Sequence, residues 1–511
     1  MSSEIEGAPF AENHEGVAPS DPASALLTGA IPVVPTGIAY QDPAAEVPQL
    51  APYAEALLTG AIPVVAEAAP VTAALPIVAP ATGAIPAVLA EPELFTGAIP
   101  VLAEPAALTG AIPVMLPDEA VEAEPPTLEQ WQVPPYLRWS MHHIKDFLPV
   151  RMIDPAPRPR EIERRRAELE TLTVSHPWED RVASFADVMQ QSFTDGWLVM
   201  HRGTVVAERY FDELTESGAH LLMSVSKSLT ATVAGIVADA GELDLDKPVT
   251  DYVPELKDSG YDGATVRQLV DMRTGVKFSE EYLNNDAEVR LLEEAIGWAP
   301  KRHPEVPDSL LGFLATLQKK TEHGEAFDYK SCETDALGFV IERAAGEHTA
   351  DVMSKRLWHP MSAEFAANVG VDSVGAGMFD GGVSATLRDL AKFGHLFVNQ
   401  GRAADGTQVL TEEWVNDTFA GGEDSREAFA KSPEPTLMPG GMYRNGFWFP
   451  GESGDVMLAL GIHGQMIYMN RVTGVVGVKL SSWPTPQDAE KLFWTLRSFE
   501  AASWALSSGA A

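Results

Sequence analysis

From about residue 131 onward, apolar and polar positions alternate in two distinct ways. In 195–211, DGWLVMHRGTVVAERYF, two β-rich runs flank Arg202-Gly203, which predicts a hairpin at the start of a sheet. After it, Val225, Leu229, Val233, Ile236 and Val237 recur at helical spacing, and Gly241 supplies a stop, which predicts a helix. FDYKSCETDALGFVIERAAG, 327–346, reads as a loop running into an amphipathic helix. Strand character returns over 456–481. The sum predicts an α+β domain: an antiparallel sheet from the 196–211 and 456–481 regions, flanked by helices, with a largely helical insertion between.

The chain ahead of this domain has a different composition. No Lys or Arg precedes Arg138, Pro and Ala crowd the stretch, and aromatic residues are almost missing before Trp131. Too little apolar surface is available there to offset the entropy of ordering, so 1–130 is expected to be a disordered acidic tail and 131–511 the globular domain. Within the tail, TGAIP occurs at 28–32, 59–63, 82–86, 96–100 and 109–113. The irregular spacing does not suit a solenoid. Each copy sets Ile before Pro, which favours an extended backbone, and anchors it with apolar side chains, as short docking motifs do. The expected partner is a repetitive protein scaffold, an encapsulin-like shell in particular; the alternative is a solvated spacer without a partner.

Charge and composition narrow the function classes. A formal net charge of −37 offers phosphates no basic stripe, which argues against nucleic acid and anionic membrane surfaces. No apolar run is long enough to span a bilayer, and MSSEIEGAPF lacks the basic and apolar regions of a signal peptide, so a cytoplasmic location is expected. One cysteine, Cys332, excludes a disulfide framework within the chain and reads as packing. His142-His143 has no ligand-like spacing to other His or Cys and reads as structural. GAGMFDGG, 375–382, reads as a turn near the pocket. No metal or cofactor is implied, and no Gly-x-Ser-x-Gly elbow is present.

The predicted helix brings the candidate chemistry into view. Ser224-Val225-Ser226-Lys227 is the single Ser-x-x-Lys of the chain. It places Ser224 at a helix N-terminus, where backbone N–H groups favour developing negative charge, and Lys227 one turn on along the same face. A serine hydroxyl becomes a nucleophile beside a base. Four residues alone are better explained by an N-cap serine followed by an exposed lysine.

The longer context resembles the serine β-lactamase superfamily. LLMSVSKSLTATVAGIVADAGELDLDKPVTDYVPEL is similar to the nucleophile segment of class C β-lactamases, penicillin-binding D,D-peptidases and related esterases. Tyr329 then matches their downstream tyrosine, and GIHGQMIYMNRVTGVVGVKLSSWP their third element, with His463-Gly464 where the lactamases have Lys-Thr-Gly. Within the superfamily, PPYLRWSMHHIKDFLP, FSEEYLNNDAEV, FDGGVSATLRDLAKFG and KLSSWP resemble the 6-aminohexanoate-dimer (nylon-oligomer) hydrolases.

The resemblance implies an acyl-enzyme on Ser224, proton transfer by Lys227 and Tyr329, and an oxyanion hole from the Ser224 N–H and a backbone N–H at Ile462 or His463. Tyr282 matches a tyrosine on a loop over the site; Glu293 and Asp286 on the same segment are candidates to meet a substrate ammonium. Loss of the lactamase lysine at His463 suits short linear amides or esters rather than lactams. The competing readings are a penicillin-recognising enzyme and a non-catalytic scaffold with a vestigial hydrolase domain.

Overall fold

The computed structural model describes residues 125–432 and 437–509. The TGAIP repeats, and nearly all of the stretch expected to be a tail, lie outside them.

Among the described residues, the main sheet is antiparallel and seven-stranded. Its order is Thr204–Tyr210, Thr194–His201, Val475–Ser481, Gln465–Asn470, Val456–Gly461, Phe447–Phe449 and Met442–Arg444. The predicted hairpin is its first pair, closed by His201 opposite Thr204. Arg202 and Gly203 both take positive φ, 50° and 83°, the two-residue turn whose twist matches that of the strands it joins.

Side chains leave this sheet on alternating faces, and both faces are covered. Trp197 and Val199 pack with Phe185, Tyr468 and Phe499, the last from the helix Ala489–Ser508. Leu198 and Met200 join the larger core with Phe393 of the helix Leu387–Val398 and Val225 of the helix Val225–Asp239. A strand buried on both sides has no reason to alternate with polar residues, which is why Trp197-Leu198-Val199-Met200 reads as a continuous apolar run. Gly477 sets how near the C-terminal helix comes: a Cβ there would lie 2.3 Å from the Phe499 ring.

The helix Val225–Asp239 is more deeply enclosed than its apolar spacing suggests. Ser226, Ser228, Thr230 and Thr232 are buried along with Val225, Leu229 and Val233. Their hydroxyls stay satisfied: Thr230 donates to the Ser226 carbonyl at 3.0 Å, Thr232 to Ser228 at 2.7 Å and Ser228 to Gly446 at 2.6 Å. Helix Ser331–Ala345 packs beside it and is likewise buried over its first eleven residues, so only its C-terminal end is amphipathic. These two helices, with shorter ones such as Val266–Val270 and Glu288–Ile296, form the expected insertion.

A second sheet has no signature in the sequence pattern. It joins Val150–Ile153, Ala367–Gly370, Val383–Ala385 and His220–Leu221, strands of two to four residues too short to show a period. Its last strand delivers the chain directly into Ser224.

Candidate active site

Between that strand and the helix, Met223 takes φ 47°, an uncommon backbone for a side chain of its size, and turns the chain sharply. Ser224 follows as the residue before the first helical turn, 9% exposed, and its side chain makes no cap hydrogen bond. The hydroxyl is therefore left free of the capping role that would explain it as structural. Lys227 is equally unlike a surface lysine, its side chain being 1% exposed.

The ammonium group of Lys227 meets three oxygens. Nζ donates to Ser224 Oγ at 3.0 Å, to Ser331 Oγ at 3.1 Å and to the Asp380 carbonyl at 2.8 Å. The Asp380 carboxylate stands 3.7 Å away. Three donors thus have three acceptors, the condition for burying a charged amine.

Tyr329 approaches from the loop before the helix Ser331–Ala345. Its ring packs 5.2 Å from Trp448 and 6.2 Å from Tyr443, centroid to centroid, and lies 5.1 Å from Lys227 Nζ. Burial pushes its phenol well above the ordinary range, the negative charges of Glu280 and Asp380 add to that, and a hydrogen bond with Ser224 opposes it. Tyr329 consequently rests as a neutral phenol beside the Ser224–Lys227 pair.

Two acids that the sequence did not single out complete the surroundings. Glu280 accepts from the Ser331 N–H, from Ser331 Oγ at 3.3 Å and from the Tyr282 hydroxyl at 2.6 Å. Burial raises its pKa, against the pull of Lys227. It belongs to the quoted FSEEYLNNDAEV, but nothing in that string reveals that its partner lies 51 residues on. Asp380, in the GAGMFDGG turn, is held by its N–H donating to Asp335 Oδ1 at 3.0 Å, which aims its carbonyl at Lys227. Asp335 is itself buried, and burial together with the Asp380 charge drives its pKa well up.

The turn after the strand Val456–Gly461 passes directly against the nucleophile. A Cβ on Gly461 would sit 2.6 Å from the Leu222 carbonyl and 3.1 Å from Ser224 N, so only glycine allows this approach. Of the two donors expected next, His463 is excluded. Its N–H already donates to the Pro486 carbonyl at 2.8 Å, its carbonyl accepts from Trp483 N–H at 3.1 Å, and its Nδ1 meets the Trp483 carbonyl at 2.7 Å. Burial pushes the imidazole down to about 4, so the ring is neutral at neutral pH. His463 therefore fastens this turn to the 483–486 segment through its N–H, carbonyl and ring.

The outer residues separate. Tyr282 is a buried neutral phenol whose hydroxyl donates to Glu280, a bond that favours the Glu280 carboxylate. Glu293 is buried with Arg290 Nη1 at 2.8 Å; burial pushes its carboxyl up to about 7, against Arg290 and Gln132, with Asp380 and Glu280 adding to the rise. Asp286 points elsewhere: it is exposed and lies 3.4 Å from His303. Cys332 is fully buried with its thiol pushed up by burial, in keeping with packing.

The beta-lactamase family model matches residues 180–500. A 6-aminohexanoate-dimer hydrolase of Paenarthrobacter ureafaciens is 36% identical over 364 residues, covering 71% of this chain and 89% of that protein. Penicillin-binding protein 4 of Amycolatopsis lactamdurans is 26% identical over 256 residues, 43% of this chain and 61% of that protein. A solved structure from Bacillus anthracis, assigned to the 6-aminohexanoate-dimer hydrolases, superposes with a TM-score of 0.69 at 26% identity, covering 75% of this chain and 97% of that one. With a buried Ser-x-x-Lys pair beside a tyrosine, a matching family model over most of its length and a relative 36% identical over 71% of it, the chain belongs to the beta-lactamase family and is a serine hydrolase.

Proposed function

We propose that the protein cleaves short linear amides or esters through an acyl-enzyme on Ser224. The observation that carries this reading is the buried contact of Ser224 Oγ with Lys227 Nζ, at 3.0 Å, beside the Tyr329 ring, whose centroid lies 5.1 Å from the same nitrogen. Ser224 Oγ attacks the substrate carbonyl, and its proton passes to the Tyr329 oxygen as that phenol gives up its own, while the Lys227 ammonium supplies positive charge beside the serine oxygen. The oxyanion formed is held by the backbone N–H groups of Ser224 and Ile462. The proton that Tyr329 gives up goes to the departing amine or alcohol; water then attacks the acyl-enzyme, its proton returns to Ser224 Oγ through Tyr329, and the acid is released.

The neutral His463 supports linear substrates over lactams, because an uncharged imidazole tied to Trp483 offers no cation to a lactam carboxylate. The 6-aminohexanoate-dimer hydrolase relative makes an amine-bearing linear amide the first substrate to try. Turnover of nitrocefin, a butyrate ester and the 6-aminohexanoate linear dimer should be compared. The ester or the dimer should be preferred; nitrocefin as the fastest substrate by a wide margin contradicts the proposal.

Lys227 and Tyr329 work as one relay in this reading. Lys227→Ala, Tyr329→Phe and the double variant should each lose similar kcat/KM, on the order of 10³-fold or more, with the double little worse than either single. Losses that add in free energy would show two independent groups.

Glu293 is suited to meeting a substrate ammonium. Its carboxyl is protonated below about 7 and charged above it. Attraction for a cationic substrate therefore grows as pH rises through that value. KM for the linear dimer should fall between pH 6 and 8, and Glu293→Gln should flatten the profile while leaving that for a neutral ester unchanged. An unaltered profile in Glu293→Gln removes the residue from recognition.

The tail is proposed to recruit the enzyme to a repetitive protein assembly such as an encapsulin-like shell. A single TGAIP copy should bind weakly, with Kd on the order of 10⁻⁴ M, and linked copies gain avidity of roughly 10²–10⁴ without new contacts. Residues 1–125 fused to a fluorescent protein should co-purify from the native host with a high-molecular-weight partner. Progressive loss as Ile-Pro is replaced by Ser-Ser in successive copies supports docking, and no partner for the intact fusion supports the spacer.

A further inference from the structure

Away from Ser224, the fold gathers His142, Asp195 and His220, three residues that nothing in their spacing connects. His142 lies in the helix Leu137–Phe147, Asp195 in the strand Thr194–His201, and His220 in the short strand that leads to the nucleophile. One ligand atom from each falls within 4.8 Å of the others. Ligands on a tetrahedral zinc with bonds near 2.0–2.1 Å sit ~3.3 Å apart, so a small closure of the His142 ring suffices to complete such a set.

We propose that His142, Asp195 and His220 form a structural site for a divalent transition-metal ion, of which Zn²⁺ is the best match. Two unsolved hydrogen-bond problems point to a missing cation. The first is at His220, which is fully buried. Its Nδ1 lies 2.7 Å from the Leu221 carbonyl, which can only accept, so Nδ1 carries the proton. In the neutral ring Nε2 then holds a lone pair, and it faces Asp195 Oδ2, another lone pair, at 3.1 Å. A cation at Nε2, either a second proton or a metal ion, resolves this. The second problem is His142, whose side chain is 6% exposed and whose two ring nitrogens have no hydrogen-bond partner. Its Nε2 stands 3.7 Å from the same Asp195 oxygen, beyond hydrogen-bond reach.

The remaining contacts resemble an outer shell. A ligating histidine usually donates its other ring N–H to a backbone carbonyl, as His220 does. Arg138 Nε holds the other Asp195 oxygen, Oδ1, at 2.8 Å, and Ser482 Oγ donates to Oδ2. Two imidazoles and a carboxylate with an oxygen nearby are a donor set for zinc or cobalt rather than calcium or magnesium. An ion here would pin the strand entering Ser224 and, through Ser482, the chain leading to Trp483 and the His463 turn. It would brace both walls of the active site without touching substrate.

The competing occupant is a proton shared among the three side chains. Untagged full-length protein, stripped with chelator, should be titrated with Co²⁺ and Zn²⁺. One equivalent of Co²⁺ should produce the intense visible bands of tetrahedral coordination, Zn²⁺ should displace it, and saturation should raise Tm by about 3 °C or more. His142→Ala, which removes a ring that makes no hydrogen bond, should abolish the bands and the Tm shift; His143→Ala, the adjacent ring, should keep both. Wild-type protein that takes up no metal, or bands that survive in folded His142→Ala, would overturn the site.

Discussion

A charged amine almost sealed from water organises this molecule. Lys227 is buried within a helix that is itself enclosed, and an uncompensated ammonium there would cost several kcal/mol. The fold answers by bringing three oxygens to it from three places: the nucleophile one turn before, Ser331 at the start of a neighbouring helix, and the carbonyl of Asp380. Meeting the needs of the lysine and assembling the active site are the same act. The acids around it follow from the same constraint, since Glu280 fixes Ser331 and Asp335 fixes Asp380.

The protonation states then divide the labour. Burial against the ring wall of Trp448 and Tyr443, with the charges of the nearby acids, keeps Tyr329 a phenol beside the Ser224–Lys227 pair. His463, where the lactamases carry a lysine, is held neutral and turned to the chain behind it. One replacement thus removes the positive charge from the substrate side and anchors the backbone turn beside the nucleophile.

Much of this was legible in the sequence, and what was not has a common cause. The hairpin, the two central helices and the Ser224–Lys227 pair are local patterns, set by periods of two and 3.6 and by i,i+3 spacing. Tyr329 was recognisable through family resemblance, and Asp380 lay in a segment already suspected of bordering the pocket. Glu280 and Asp335 were not legible, because each acts through a residue more than forty positions away. His463 was one of two candidates, with Ile462, for the oxyanion N–H; a sequence does not reveal a φ of 60° or an N–H already committed to Pro486. His142 looked like an unconnected pair with His143, and only the tertiary fold brings Asp195 and His220 to it.

The account stands on Ser224 being the one serine whose hydroxyl is activated. Treating the protein with a fluorophosphonate and mapping the adduct by peptide mass spectrometry measures this directly. The account predicts one stoichiometric adduct on Ser224, absent in Ser224→Ala and strongly slowed in Lys227→Ala. An adduct on a different serine, or none while esterase activity persists in Ser224→Ala, would contradict it.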